Sequence, residues 1–346
     1  MHRQGIDVSI VAGQVLADVS HEVPLSLPVV ELAKAGPGYF PAALLRALYR
    51  TKPDIVFTTS NDVACLLLVL QLLLFRKMRI IVTEHLSLSA PRKNARGMRR
   101  AKLEFIRVAM RLLLPHAERM VAVSEGVSQD LKQELALKGN EVLVIHNPIV
   151  TPDFDSRMRK AISWPWPDKS LPTVIFVGRL SQEKRLDLLL DSFQSLIKGT
   201  PARLLLVGVG PLQSQIERRI QSDGLESCCK LTGFIGDPLP LIAGSDVLVL
   251  PSDYEGFGNV LVEAMACGIQ VVATDCPFGP AEILGPNQFG QLIPTGDPVA
   301  LEEAIRRSLH GEFRVSPSSL KARASDFAVD TATDRYVALL RGPTEQ

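Results

Sequence analysis

The stretch of this chain richest in usable chemistry is E-G-F-G-N-V-L-V-E-A-M-A-C-G, from Glu255 to Gly268. It follows an apolar, strand-like run, D-V-L-V-L (Asp246–Leu250), that stops at Pro251. A loop with two glycines comes next, and the pattern predicts a helix opening near Asn259. Such a turn aims unpaired backbone N–H groups and the positive end of the helix dipole at whatever lies above it, which suits an anion. Glycine lets that anion approach the backbone closely. Glu255 precedes the helix. Glu263 lies within it, followed by Ala, Met, Ala and Cys. A carboxylate on so apolar a face needs a partner, and ribose hydroxyls would supply one.

A second group of residues reads as anion-binding. G-R-L-S-Q-E-K-R (Gly178–Arg185) follows the strand-like T-V-I-F-V (Thr173–Val177). Arg179 and Lys184 then fall at the carboxyl end of a sheet, where α/β folds bind ligands. One offers a fork for phosphate, the other a mobile point charge. V-G-V-G-P-L-Q (Val207–Gln213) has Gln213 where the third glycine of a dinucleotide loop is required, so a tight strand-to-helix turn is the better reading. T-E-H places His85 at the end of R-I-I-V-T (Arg79–Thr83), facing the expected cleft, as a structural or a catalytic histidine. V-S-E-G (Val123–Gly126) closes the next strand, R-M-V-A-V (Arg119–Val123), in the same way. The five cysteines form no C-x-x-C pair and no zinc spacing, which points to reduced thiols of a cytoplasmic protein and to no metal site.

Pro91 to Arg111 carries eight basic residues and one acid, with Leu103, Ile106 and Met110 at helical spacing. Two readings stand: a basic amphipathic helix lying on an anionic membrane, or a solvated helix whose stripe enters the core. With one aromatic and no accompanying fold motif, nucleic-acid binding is not indicated. The charge balance agrees with one side facing anionic material, since residues 1–160 hold 22 Lys and Arg against 15 Asp and Glu.

The elements positioning these groups alternate strand and helix. D-I-V-F-T (Asp54–Thr58), Arg79–Thr83 and Arg119–Val123 make a first set of strands; Thr173–Val177, Arg203–Val207, Asp246–Leu250 and Gln270–Thr274 make a second. Continuous apolar strands separated by helices imply parallel sheets covered on both faces. W-P-W-P-D (Trp164–Asp168) breaks the chain between the sets. The predicted division is 1–163 and 164–325, with a helix over 326–346 completing the first unit. Val63 to Phe75 is apolar for 13 residues. That is shorter than the ~20 residues a membrane span needs, so it is expected to be a buried helix. No leader peptide is expected at Met1.

Together these residues resemble glycosyltransferase family 4, of the GT-B fold: two Rossmann-like parallel-sheet domains facing a cleft. Glu255 and Glu263 match the family's E-x7-E motif, G-R-L-S-Q-E-K its G-R-L…K signature, and V-S-E-G-V-S-Q-D-L with H-N-P-I its first-domain pattern. D-C-P-F-G-P-A-E-I-L (Asp275–Leu284) looks like the bacterial branch building lipopolysaccharide and other surface polysaccharides. The resemblance implies a metal-independent, retaining hexosyltransferase using a UDP- or GDP-sugar as co-substrate, with no other cofactor. The same resemblance implies a membrane-linked glycan or lipid as acceptor and a cytoplasmic location, at the cytoplasmic face of the inner membrane. It also assigns roles. Arg179 and Lys184, beside Gly178, neutralise the diphosphate. Glu263 holds the ribose and Glu255 the sugar hydroxyls. Backbone N–H groups of Gly256, Phe257 and Gly258 meet the sugar, and those of Asn259 and Val260 the phosphate. The turn carrying Phe234 and Ile235 faces the nucleobase, and His85 lines the catalytic cleft. Gly5–Val11 looks like the family's second strand, so the first strand and its loop are expected to be missing. This motivates the alternative of a non-catalytic nucleotide-sugar-binding protein. A sugar phosphorylase or epimerase is a third option.

Overall fold

The computed structural model describes residues 5–12, 27–32, 39–93, 95–137 and 142–341. Its strands in chain order are β1 (Ile10–Ala12), β2 (Val29–Glu31), β3 (Ile55–Thr58), β4 (Arg79–Glu84), β5 (Arg119–Ala122), β6 (Val142–Val144), β7 (Thr173–Val177), β8 (Arg203–Val207), β9 (Cys229–Leu231), β10 (Val247–Leu250), β11 (Gln270–Thr274) and β12 (Gln291–Ile293). All the pairings among them are parallel. The amino-terminal unit has a four-stranded sheet in the order β3-β4-β5-β6; the carboxyl-terminal unit has six strands in the order β12-β11-β10-β7-β8-β9. The strand read over Gly5–Val11 is reduced to β1, which pairs with β2 apart from the four-stranded sheet.

The carboxyl-terminal core is the more continuous. Strands β8, β10 and β11 are buried along their whole length, as parallel strands covered on both faces must be. Phe176, Leu189, Phe193, Leu205 and Val249 are completely buried among them. Each such side chain stabilises the fold by roughly 1.5–3 kcal/mol. Trp166 of the Pro-rich segment and Phe154 belong to this same core. The amino-terminal core gathers Leu67, Leu68, Ile80, Met110 and Leu131.

The carboxyl-terminal segment is two helices, Pro317–Ser325 and Val329–Arg341, separated by the buried Phe327. The second crosses to the amino-terminal sheet: Ala332 buries with Ile81, Val121 and Ile145, and Arg79 Nη1 donates to Leu340 O at 3.2 Å. The apolar helix Asn61–Leu73 is not buried all round. Ala64, Leu67 and Leu68 face the core, whereas Val69, Leu72 and Leu73 are exposed. With nearly every position apolar, its periodicity marks no inner face.

Candidate functional site

Strand β7 sits at the turning point of its sheet, with β8 on one side and β10 on the other. Loops leaving the carboxyl ends of such neighbours diverge, and the crevice between them is where open α/β sheets receive ligands. Gly178–Arg185 leaves β7 there and Pro251–Gly258 leaves β10. The two loops are laced together. Asp253 N donates to Glu183 O at 2.8 Å, and Arg185 Nη1 to Asp253 Oδ1 at 3.0 Å. Lys184, ending a short 3₁₀ turn, pairs with Glu255 at 2.5 Å, and Ser252 Oγ donates to the same carboxylate oxygen at 2.6 Å. Both charged side chains are mostly buried, at 18% and 10% exposure. Arg179 is exposed and forms no ion pair with any described residue.

Gly258 takes φ 96°, a left-handed conformation that suits glycine, and the helix Asn259–Cys267 starts from it. Leu261 N bonds Gly258 O, and the N–H groups of Asn259 and Val260 have no partner among the described residues. The Glu263 carboxylate likewise makes no hydrogen bond there. Burial pushes its pKa up, and the charge of Arg157 pulls it back. The loop Thr232–Pro238 leaves β9 with Phe234 exposed and Ile235 packed on the core.

The opposing wall comes from the amino-terminal unit. His85 follows β4 at an exposed position, and desolvation lowers its pKa. Its carbonyl touches Gly256 so closely that an added β-carbon would overlap the oxygen and lie 2.9 Å from the carbon. Ser124 Oγ donates to Gly256 O at 2.9 Å, and Asn147 Nδ2 to Asn259 Oδ1 at 2.8 Å. The His146 ring stacks on Phe257 at 5.3 Å, and its Nε2 meets Glu282 Oε1 at 2.5 Å. Glu282 Oε2 also accepts from Glu125 N at 2.9 Å. Phe257 is thus a buried ring in the seam between the units.

Sequence reasoning assigned no side-chain role to His146, Glu282, Ser124 or Arg157. The first three lie inside patterns it quoted, but their pairing is long-range and leaves no local spacing. Glu84 was also passed over. It is buried beside Asn61, whose amide, turned to face it, donates to Oε2 at 3.1 Å, and burial pushes its pKa to about 8.

The basic segment folds as helices Ser89–Lys93 and Gly97–Leu113, with Asn94 outside the described residues. Leu103 and Ile106 line a cavity of about 260 Å³ with Asn61, Leu86 and Arg107, while Met110 is buried. The stripe noticed in the sequence therefore faces the protein. A second stripe, Met98, Ala101, Phe105, Val108 and Leu112, faces outward and is exposed.

Comparison with known proteins gives two family matches. The family described as "Glycosyltransferase Family 4" matches residues 1–152, and "Glycosyl transferases group 1" matches 171–310. N-acetylgalactosamine-N,N'-diacetylbacillosaminyl-diphospho-undecaprenol 4-alpha-N-acetylgalactosaminyltransferase of Campylobacter jejuni is 29% identical over 66% of this chain and 62% of its own length. Lipopolysaccharide 1,6-galactosyltransferase of Escherichia coli is 27% identical over 61% of this chain and 58% of its own. The matched region thus spans less than two thirds of either relative. Among solved structures, Anabaena Alr3699/HepE in complex with UDP-glucose superposes with a TM-score of 0.72 at 21% identity, over 91% of this chain and 86% of that one.

Proposed function

Because this chain belongs to glycosyltransferase family 4, with the GT-B architecture, we propose that it transfers a hexose with retention, without a metal, from a nucleotide-diphosphate sugar to a membrane-linked glycan or lipid in bacterial surface polysaccharide synthesis. The observation that carries this reading is a pair of groups without partners at one crevice: Arg179 without a counter-ion and Glu263 without a hydrogen bond among the described residues. A diphosphate satisfies the first and a ribose the second. Lys184 then shares its charge between Glu255 and the phosphates, while Glu255 turns its free oxygen to the sugar hydroxyls. Gly256, Phe257 and Gly258 offer N–H groups to the sugar, Asn259 and Val260 to the phosphate. Phe234 and Ile235 border the nucleobase, and His85 closes the cleft over the transferred sugar. The relatives' names, one containing diphospho-undecaprenol and one lipopolysaccharide, support the acceptor class.

Two cations at the crevice, Arg179 and Lys184, stabilise the departing diphosphate electrostatically in this reading, in place of a divalent ion. The test is a thermal-shift screen of nucleotide sugars, since a ligand of the folded state raises its midpoint, followed by transfer assays with the best donor in excess EDTA. Transfer within about twofold of the untreated rate is expected, because the charge comes from side chains. A large loss restored by Mg²⁺ or Mn²⁺ would overturn metal independence. Donor binding with no turnover on any lipid-linked acceptor would favour the non-catalytic alternative.

We place the membrane contact on the outer stripe of Gly97–Leu113. The same helix exposes Arg99, Arg100, Lys102 and Arg111, and the helix packed against it, Asn61–Leu73, exposes Val69, Leu72 and Leu73. Exposed apolar residues together with cations suit a peripheral contact with anionic lipid. No helix among the described residues is long and apolar enough to cross a membrane. The double variant F105E/L112E is expected to lose most co-sedimentation with phosphatidylglycerol vesicles while keeping donor binding. Unchanged sedimentation would remove this surface from the proposal.

A further inference from the structure

The segment joining the two units carries a residue whose position fits none of the roles above. Arg157 lies in the short helix Phe154–Met158, after the last strand of the amino-terminal unit and before β7. The helix is anchored by Phe154, which is buried in the carboxyl-terminal core. From there Arg157 reaches the loop Thr232–Pro238 and grips Asp237 with both arms of its fork, Nε to Oδ2 at 3.0 Å and Nη2 to Oδ1 at 3.1 Å. Lys160 approaches the same carboxylate at 4.0 Å. The Arg157 charge also acts on Glu263.

We propose that Arg157 is a positioning residue for the nucleoside half of the donor: it fixes the Thr232–Pro238 loop through Asp237 and presents its positive charge to the Glu263 carboxylate. This rests on the donor-site reading given above. A bidentate guanidinium–carboxylate pair holds a loop in one orientation, which a lysine cannot reproduce. The charge acts separately. Burial favours the protonated form of Glu263, Asp237 adds to that effect, and Arg157 opposes both. An ionised carboxylate accepts two ribose hydroxyls through strong, charge-assisted bonds, whereas a protonated acid is a weaker acceptor. The other titratable groups around this site are Asp155 on the linker helix, Lys160 just after it, Cys267 on the Glu263 helix and Lys321 on the helix packed against it.

The sign of the effect follows. Removing Arg157 raises the pH at which Glu263 gives up its proton, so nucleotide binding suffers most at low pH and recovers as pH rises. The experiment is calorimetric titration of UDP, GDP and inorganic pyrophosphate into the full chain. It compares wild type, R157Q, R157K, E263Q and R157Q/E263Q across a pH series that starts near the ordinary glutamate value of about 4.3 and rises until the ratio to wild type is constant. For the nucleotide that wild type binds more tightly, R157Q is expected to weaken affinity about tenfold at the acid end, the scale of one hydrogen bond to a charged group. The ratio to wild type should shrink toward the alkaline end. R157K should restore the pH profile but not the full affinity, since it keeps the charge and loses the fork. In the E263Q background the R157Q effect should not vary with pH, and pyrophosphate, which has no ribose, should bind all variants alike. A ratio flat with pH, or an equal loss for pyrophosphate, overturns the proposal by reducing Arg157 to a structural anchor. If wild type binds pyrophosphate but neither nucleotide, the donor-site reading falls and takes this proposal with it.

Discussion

Alanine at Lys184 or at Glu263 is expected to cut sugar transfer by two to three orders of magnitude, with different kinetic signatures. Lys184 stands where charge grows as the diphosphate leaves, and removing one such electrostatic contact costs about 10²–10³ in kcat. Glu263 contacts the ribose, which does not change during the reaction. Its loss is expected chiefly in the donor KM, the mark of binding shared by ground and transition states. Neither substitution should unfold the chain. Lys184 leaves behind a Glu255 that still accepts from Ser252 at 2.6 Å, and Glu263 has no hydrogen bond among the described residues to break. Initial rates against donor concentration, with circular dichroism as the control for folding, decide the matter. Wild-type transfer in both variants would sink the residue assignment.

The second large effect is expected from one methyl group. Gly256→Ala sets a β-carbon against the His85 carbonyl, and neither group is a side chain that can rotate away. The glycine loop is also tied from the same side by Ser124 Oγ. The loop or the whole unit must therefore shift. Overpacking of this kind costs about 1–3 kcal/mol, and a displacement near 1 Å in a catalytic constellation can cost about 10²-fold in rate. We expect a drop of that size in kcat and a lower thermal midpoint. Gly199→Ala, where an added β-carbon meets nothing within 4 Å, is the control and should leave both unchanged. Wild-type kcat in Gly256→Ala would show that the seam moves freely.

Much of the architecture was legible because parallel strands buried on both faces read as unbroken apolar runs. Thr173–Val177, Arg203–Val207 and Gln270–Thr274 appear in the structure with the bounds expected for them. Strands β6, β9 and β12 were not seen, since three residues are too few for a period to emerge. The helix Gly97–Leu113 shows a different limit. It carries two apolar stripes at helical spacing, and periodicity does not say that Leu103 and Ile106 turn inward while Phe105 and Leu112 turn out. In the crevice, residue type and loop position singled out Arg179, Lys184, Glu255 and Glu263. They gave no hint that Lys184 and Glu255 pair with each other, or that a linker arginine reaches Asp237 across 80 positions of sequence.

The seam joining His85, Ser124, His146 and Asn147 to the glycine loop bears on how such proteins can be recombined. Exchanging carboxyl-terminal halves between relatives looks like a simple way to change which sugar is used. Here the loop that would meet the sugar takes its shape partly from the other half. The heritable module is therefore larger than one folded unit: it includes the turns after β4, β5 and β6 that grip the loop. A graft that carries the loop without those turns imports a specificity together with a mismatched mould.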